Sequence, residues 1–168
     1  MGSGKTTVGP LLADALGVRF VDLDWLVEAR TGQTVTALFA DVGEAGFRAA
    51  ETAALAETTT GPDLVVATGG GTLVRAANLA LAQAAGAVVW LRVSPVVAAA
   101  RLGVPTGRPL LAGPDGRPLG GDALRARLRA LMEARAPLYA RADVTVEADA
   151  SPDEVVRRIL AAFDGRAS

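Results

Sequence analysis

The stretch "MGSGKTTVGP", residues 1–10, decides the fold. Gly4-Lys5-Thr6 matches the end of the phosphate-loop motif G-x-x-x-x-G-K-[ST]. The motif's first glycine would fall before Met1, and so would the hydrophobic strand that normally leads into it. The expectation is therefore the second half of a phosphate loop. The amides of the Ser3 to Thr7 segment would open a helix and face anionic oxygens. Lys5 would neutralise phosphate charge, and the Thr6 hydroxyl would bind Mg²⁺. The bland alternative is a glycine-rich N-terminus ahead of an ordinary helix.

Composition narrows the chemistry. A length of 168 residues suits one domain with a real core. The chain is 51% hydrophobic but only 4% aromatic, so Ala, Val and Leu must fill that core. A net charge of -1 gives no reason to expect a nucleic-acid or membrane surface. Cysteine and histidine are both absent. That removes disulfides, zinc sites built from those ligands and Ser-His or Cys-His catalysis. Chemistry is left to carboxylates, Lys, Arg, hydroxyls, backbone groups and a hard metal ion. The glycine-rich, polar start does not resemble a signal peptide. The apolar runs are far shorter than the roughly 20 residues a membrane helix needs. A cytoplasmic monomer is expected.

Short apolar runs alternate with helical ones. "VRFVDLD" (18–24), "LVVATGG" (64–70), "AVVWLRV" (87–93) and "VTVEA" (144–148) read as strands, the middle two apolar enough to be covered on both faces. Helices are expected over 43–60, 76–85 and 122–134, with C-caps at Gly61 and Gly86. A last helix should start at Ser151 as N-cap, with Pro152 at N1 and Glu154 at N3. This alternation predicts a three-layer α/β/α fold around a parallel sheet. The Gly/Pro-rich stretch 103–121 breaks the rhythm and has the composition of a lid within a single domain 1–168.

Three clusters complete the candidate chemistry. Asp22 and Asp24, two apart, would share one face of a strand and repel each other unless cations meet them. In isolation they read better as solvated acids capping a helix from Trp25. Glu44, Arg48 and Glu51 have helical spacing and by themselves describe a solvated, ion-paired face. "TGGG" at 68–71 follows a buried strand, and three successive glycines suggest a backbone that a ligand approaches closely.

Together these residues resemble the shikimate kinases. The resemblance runs in order through "GSGKTTVG", "FVDLDWLVEARTG", "GEAGFRAAE", "VVATGGG", "RPLL" and "RAPLY" and covers nearly the whole chain. It implies a P-loop kinase fold and phosphorylation of the 3-hydroxyl of shikimate by Mg-ATP, on the path to chorismate. By the same resemblance Lys5, Asp24 and Arg108 are catalytic. ATP would meet Gly2, Ser3, Gly4, Lys5, Thr6, Thr7, Arg101 and Arg108, with the 147–152 stretch near adenine. Thr6 and Asp22 would hold Mg²⁺. Asp24, Arg48, Gly69, Gly70, Gly71 and Arg135 would bind shikimate. Arg117 also sits in a "GRPL" but lacks the second Leu, so Arg108 is preferred as the lid arginine.

Two departures from the family pattern stand out. Pro10 falls inside the first helix, where a lost donor and a ring clash cost up to ~3 kcal/mol and a kink or an irregular first turn is expected. The sheet would lack its central first strand, forfeiting ~1.5–3 kcal/mol for each large side chain it would bury. An in-frame apolar stretch ending in glycine is expected just upstream of Met1. The competing functional readings are a truncated, inactive nucleotide-binding homologue and a related small-metabolite kinase, such as one for gluconate.

Overall fold

The computed structural model describes residues 2–103 and 109–165. The order among these residues is α1 (Lys5–Leu16), β1 (Arg19–Asp22), α2 (Leu23–Thr31), α3 (Val35–Thr58), β2 (Leu64–Ala67), α4 (Ala76–Ala85), β3 (Val89–Arg92), α5 (Pro95–Leu102), α6 (Gly121–Tyr139), β4 (Val144–Glu147) and α7 (Pro152–Asp164). Short 3-10 turns cover Thr72–Val74 and Pro109–Leu111.

The strands are parallel, as their apolar character predicts, and they form two pairs. β1 runs beside β2 with Asp22 opposite Ala67, and β3 runs beside β4 with Val89 opposite Val144. Among the described residues β2 and β3 are not paired with each other. Helix α1 spans both pairs. It touches β1 and β2, and its Val8 and Leu12 join Val89, Leu91, Val144, Val146, Val156 and Ile159 in one apolar cluster. A second cluster sets Leu23 and Val27 of α2 against Leu38, Phe47 and Leu55 of α3. A third sets Ala98 of α5 against Leu124 and Leu128 of α6. No helix among the described residues is long and apolar enough to cross a membrane.

Several expected boundaries move, each for a local reason. Pro10 lies inside α1, which spans Lys5–Leu16. Helix α3 begins well before residue 43, capped by the Thr34 side chain, and bends at Gly43, whose φ of 67° and ψ of -175° are not helical. Its C-cap is Thr59 rather than Gly61. Helix α6, expected over 122–134, starts one residue earlier. It continues through Pro137 to Tyr139. Helix α4 matches 76–85 with Gly86 as its C-cap. Helix α7 starts as predicted, with the Ser151 side chain accepting from the Glu154 amide and Pro152 in the first turn.

Within the 103–121 stretch, Ala112 bridges Pro118, and Leu111 is fully buried in the cluster of α5 and α6. The part after residue 108 is therefore anchored to the domain. Arg117 pairs with Asp115 at 3.8 Å and is largely exposed. Arg108, assigned to the lid by sequence, lies outside the described residues.

Candidate functional site

The phosphate loop is built from backbone. Gly2 and Gly4 both take left-handed conformations, with φ of 67° and 88°. A side chain on Gly2 would collide with the Ala98 carbonyl, so the loop sits directly on α5. No side chain caps α1, and the Thr7 and Val8 amides close its first turn onto the Gly4 carbonyl at 3.0 and 2.8 Å. The amides ahead of them lie at the positive end of the helix, where an anion is stabilised. Ser3 is buried, and Lys5 Nζ lies 3.5 Å from its Oγ.

Asp22 joins this loop to the next element. Its Oδ2 accepts from the Thr6 hydroxyl at 3.2 Å, and its Oδ1 accepts from the Asp24 amide at 3.0 Å. Asp22 ends β1 and caps α2, while Asp24 already belongs to α2. The two acids therefore do not share a strand face. The capping alternative holds in part: Asp22 is the cap, but of a helix that starts at Leu23 rather than Trp25, and both acids are half-buried rather than solvated. Thr6 and Asp22 together offer a hydroxyl and a carboxylate, hard oxygens that suit Mg²⁺, a cation that keeps several waters and takes phosphate as a ligand. Among the described residues no cluster of three or more acidic side chains could hold a metal unaided.

The Asp24 carboxyl is held above its ordinary range. Burial is the largest cause, followed by the negative charges of Asp22 and Glu51, with Lys5 opposing them.

The glycine turn after β2 explains why three glycines are needed. A Cβ on Gly69 would stand 2.7 Å from Glu51 Oε1 and 3.4 Å from Asp24 Oδ1. One on Gly70 would stand 3.2 Å from Arg135 Nη1 and 3.6 Å from the Tyr139 hydroxyl. One on Gly71 would meet Arg48 Nη1 at 2.6 Å. Each missing side chain leaves room for a different charged or polar group. The turn is thus the point where α2, α3 and α6 deliver their candidate residues.

Two of these groups went unrecognised in the sequence. Glu51 is only 2% exposed, so it is not part of a solvated face. Its Oε2 pairs with Arg48 Nη1, and its Oε1 accepts from the buried Thr72 hydroxyl at 2.7 Å. Asn78 donates to the Thr72 carbonyl at 3.0 Å and extends the network into α4. Burial lowers the Arg48 pKa, but the hydrogen bond and charge of Glu51 outweigh it and hold the guanidinium above its usual range. Tyr139 ends the run "RAPLY" and carries no assigned role in the sequence. Its hydroxyl donates to the Gly70 carbonyl at 2.5 Å, beside Arg135 Nη1 at 3.2 Å. Arg135 and Tyr139 are four apart on α6, hence on one face.

Arg101, expected to pack on adenine, donates through Nη2 to the carbonyls of Ala148 and Ala150 at 2.8 and 2.9 Å. Its Nη1 would lie 3.7 Å from a Cβ on Gly4. The structure thus ties Arg101 to the 147–152 segment and places it beside the phosphate loop. A cavity of about 440 Å³ lies between the phosphate loop, the glycine turn and β3, lined by Ser3, Lys5, Gly69, Gly70, Trp90 and Tyr139 among others. Arg48, Arg135, Gly71 and Glu44 line a second depression on the far side of the turn.

A phosphate loop on the first cavity, with Arg48 and Arg135 reaching the same glycine turn from the second depression, defines a P-loop kinase. Comparison with known proteins gives the family. The family model for shikimate kinase matches residues 1–164. The shikimate kinase of Chlorobaculum tepidum is 39% identical over 163 residues, covering 94% of this chain and 85% of that protein. The structure of shikimate kinase from Acinetobacter baumannii in complex with shikimate matches with a TM-score of 0.87 and 36% identity, over 99% of this chain and 89% of that one. A gluconokinase from Sinorhizobium meliloti shares the fold alone, at 23% identity and a TM-score of 0.63 over 99% of this chain and 89% of that one. The chain belongs to the shikimate kinase family.

Proposed function

We propose that this chain transfers the γ-phosphoryl group of ATP to the 3-hydroxyl of shikimate, using the residues gathered around the glycine turn. The observation that carries the assignment of roles is the convergence of Asp24, Arg48 and Arg135 on Gly69, Gly70 and Gly71, with Lys5 lining the cavity that reaches Gly69 and Gly70. Arg48 and Arg135 grip the carboxylate of shikimate, a planar anion matched by guanidinium forks. Gly70 and Gly71 let the ring lie against backbone.

Asp24 accepts a hydrogen bond from the 3-hydroxyl and orients it for in-line attack. Its raised pKa makes it a stronger base than an ordinary carboxylate, which suits it to receive that proton. A bond forms between the 3-oxygen and the γ-phosphorus. The bond from that phosphorus to the β–γ bridging oxygen breaks, and ADP departs with the electron pair. Lys5 and the amides at the start of α1 stabilise the negative charge on the phosphates. Thr6 and Asp22 would hold Mg²⁺, which supplies charge neutralisation on the phosphate oxygens. Arg101 holds the segment beside adenine, and Arg108 serves as the lid arginine.

The test is a coupled assay of ADP release with shikimate and, separately, with gluconate. Turnover that requires shikimate and fails with gluconate supports this reading. Preference for gluconate would move the substrate to a sugar acid, and nucleotide binding without turnover would favour an inactive homologue.

A further inference from the structure

The depression of about 590 Å³ beyond Gly71 holds a third guanidinium, that of Arg75, alongside Arg48 and Arg135. Arg75 lies at the start of α4, exposed to solvent, with Nη1 3.5 Å from the Arg48 carbonyl. The charges facing this depression are unequal in what they can offer a ligand. Arg48 is already engaged: it pairs with buried Glu51 through Nη1 and lies 3.5 Å from Glu44 Oε1 through Nη2. Arg135 spends one donor on a neutral carbonyl and keeps its charge. Of the charged side chains lining the depression, Arg48, Arg75 and Arg135 stand against Glu44 alone. Buried Glu51 behind them pairs with Arg48, so with that pair set aside the loss of Arg75 leaves only Arg135 against Glu44.

We infer that Arg75 supplies the net positive charge of the carboxylate pocket and acts as a capture and specificity residue for the anionic substrate. Arg48 and Arg135 shape the fork, and Arg75 makes the fork attractive at a distance. A cleft with one sign of charge raises the arrival rate of an oppositely charged ligand, and salt screens the effect. Arg75 lines the depression beyond Gly71 and not the cavity that holds Lys5, so its influence falls on substrate capture. This inference rests on the reading that the pocket binds the carboxylate of shikimate.

The experiment compares the full chain with Arg75→Gln and Arg75→Lys, measuring KM for shikimate, KM for ATP and kcat over a series of salt concentrations. Arg75→Gln should raise the shikimate KM at low salt by roughly tenfold and flatten the salt dependence of kcat/KM, with kcat and the ATP KM held. Arg75→Lys should restore most of both effects, because a charge and not a fork is required. A shikimate KM and salt slope unchanged in Arg75→Gln would overturn the inference. So would a rise that is equal at all salt concentrations and not rescued by Lys. If the unsubstituted chain does not turn over shikimate at all, it is the functional reading beneath the inference that fails.

Discussion

The Tyr139 hydroxyl and the Gly70 carbonyl, 69 residues apart in sequence, are joined by a 2.5 Å hydrogen bond that fixes the end of α6 to the turn after β2. The bond matters because Arg135, one helical turn earlier, donates to the same oxygen. Replacing Tyr139 by Phe removes one of these two donors and keeps the ring against Trp90, whose centroid is 5.8 Å away. The expected loss is about 0.5–1.5 kcal/mol of stability, the usual net value of one hydrogen bond. The shikimate KM should rise while the ATP KM holds, a split read directly from initial rates.

Glu51→Gln tests the buried support of Arg48. The Gln keeps the shape and can still accept from Thr72, but it loses the charge that faces Arg48. Hydrogen bonds to charged groups contribute about 1.5–3 kcal/mol. Thermal unfolding should show a loss of that order, and shikimate binding should weaken because Arg48 is no longer held in place.

Gly71→Ala separates backbone strain from side-chain collision. Gly71 has φ -111° and ψ -16°, a conformation open to alanine. Its new Cβ would nevertheless meet Arg48 Nη1 at 2.6 Å and Nη2 at 2.8 Å, which forces the guanidinium aside. The fold should survive with little change in Tm. The shikimate KM should rise at least tenfold, equivalent to about 1.4 kcal/mol of lost binding.

Asp24→Asn should trade activity for stability. As the proposed orienting base, Asp24 is expected to contribute roughly 10²–10⁴-fold to turnover. Its raised pKa means that folding favours the protonated carboxyl. Between the ordinary value of 3.8 and that raised value the folded chain binds more protons than the unfolded one, so stability falls as pH rises through the window. The neutral Asn avoids that cost. The variant should melt at a higher temperature than the parent at neutral pH, and the difference should vanish below the ordinary Asp range. Scanning both proteins across pH without added metal or nucleotide checks it.

Much of this site was legible in local motifs. Gly4-Lys5-Thr6 carries its own geometry, and the run "TGGG" announces a crowded turn. The face shared by Glu44, Arg48 and Glu51 was also readable from helical spacing. What spacing cannot give is depth. Glu51 and Glu44 are both one turn from Arg48, yet Glu51 is buried and Glu44 is exposed, because only one side of α3 meets the turn. The Asp22–Asp24 pair misled for a related reason. Alternation describes a strand only while the strand lasts, and β1 ends at Asp22. Tyr139 and Arg75 were invisible as site residues because their significance lies in contacts with distant segments. The sheet's direction was readable from its apolar strands, and its division into the pairs β1–β2 and β3–β4 agrees with the expected absence of a central strand.

Trp90 gives the chain an optical handle. It is one of only two tryptophans, and it lines the cavity shared by Lys5 and the glycine turn, in contact with the tyrosine that anchors that turn. The other, Trp25, sits at the surface with 57% of its area open to solvent. Emission from the first should therefore respond to whatever fills the cavity, against a steady red-shifted background from the second. Filling of that cavity should be visible by light alone, with no label and no coupled enzyme, and a Trp25→Phe variant would leave a single reporter.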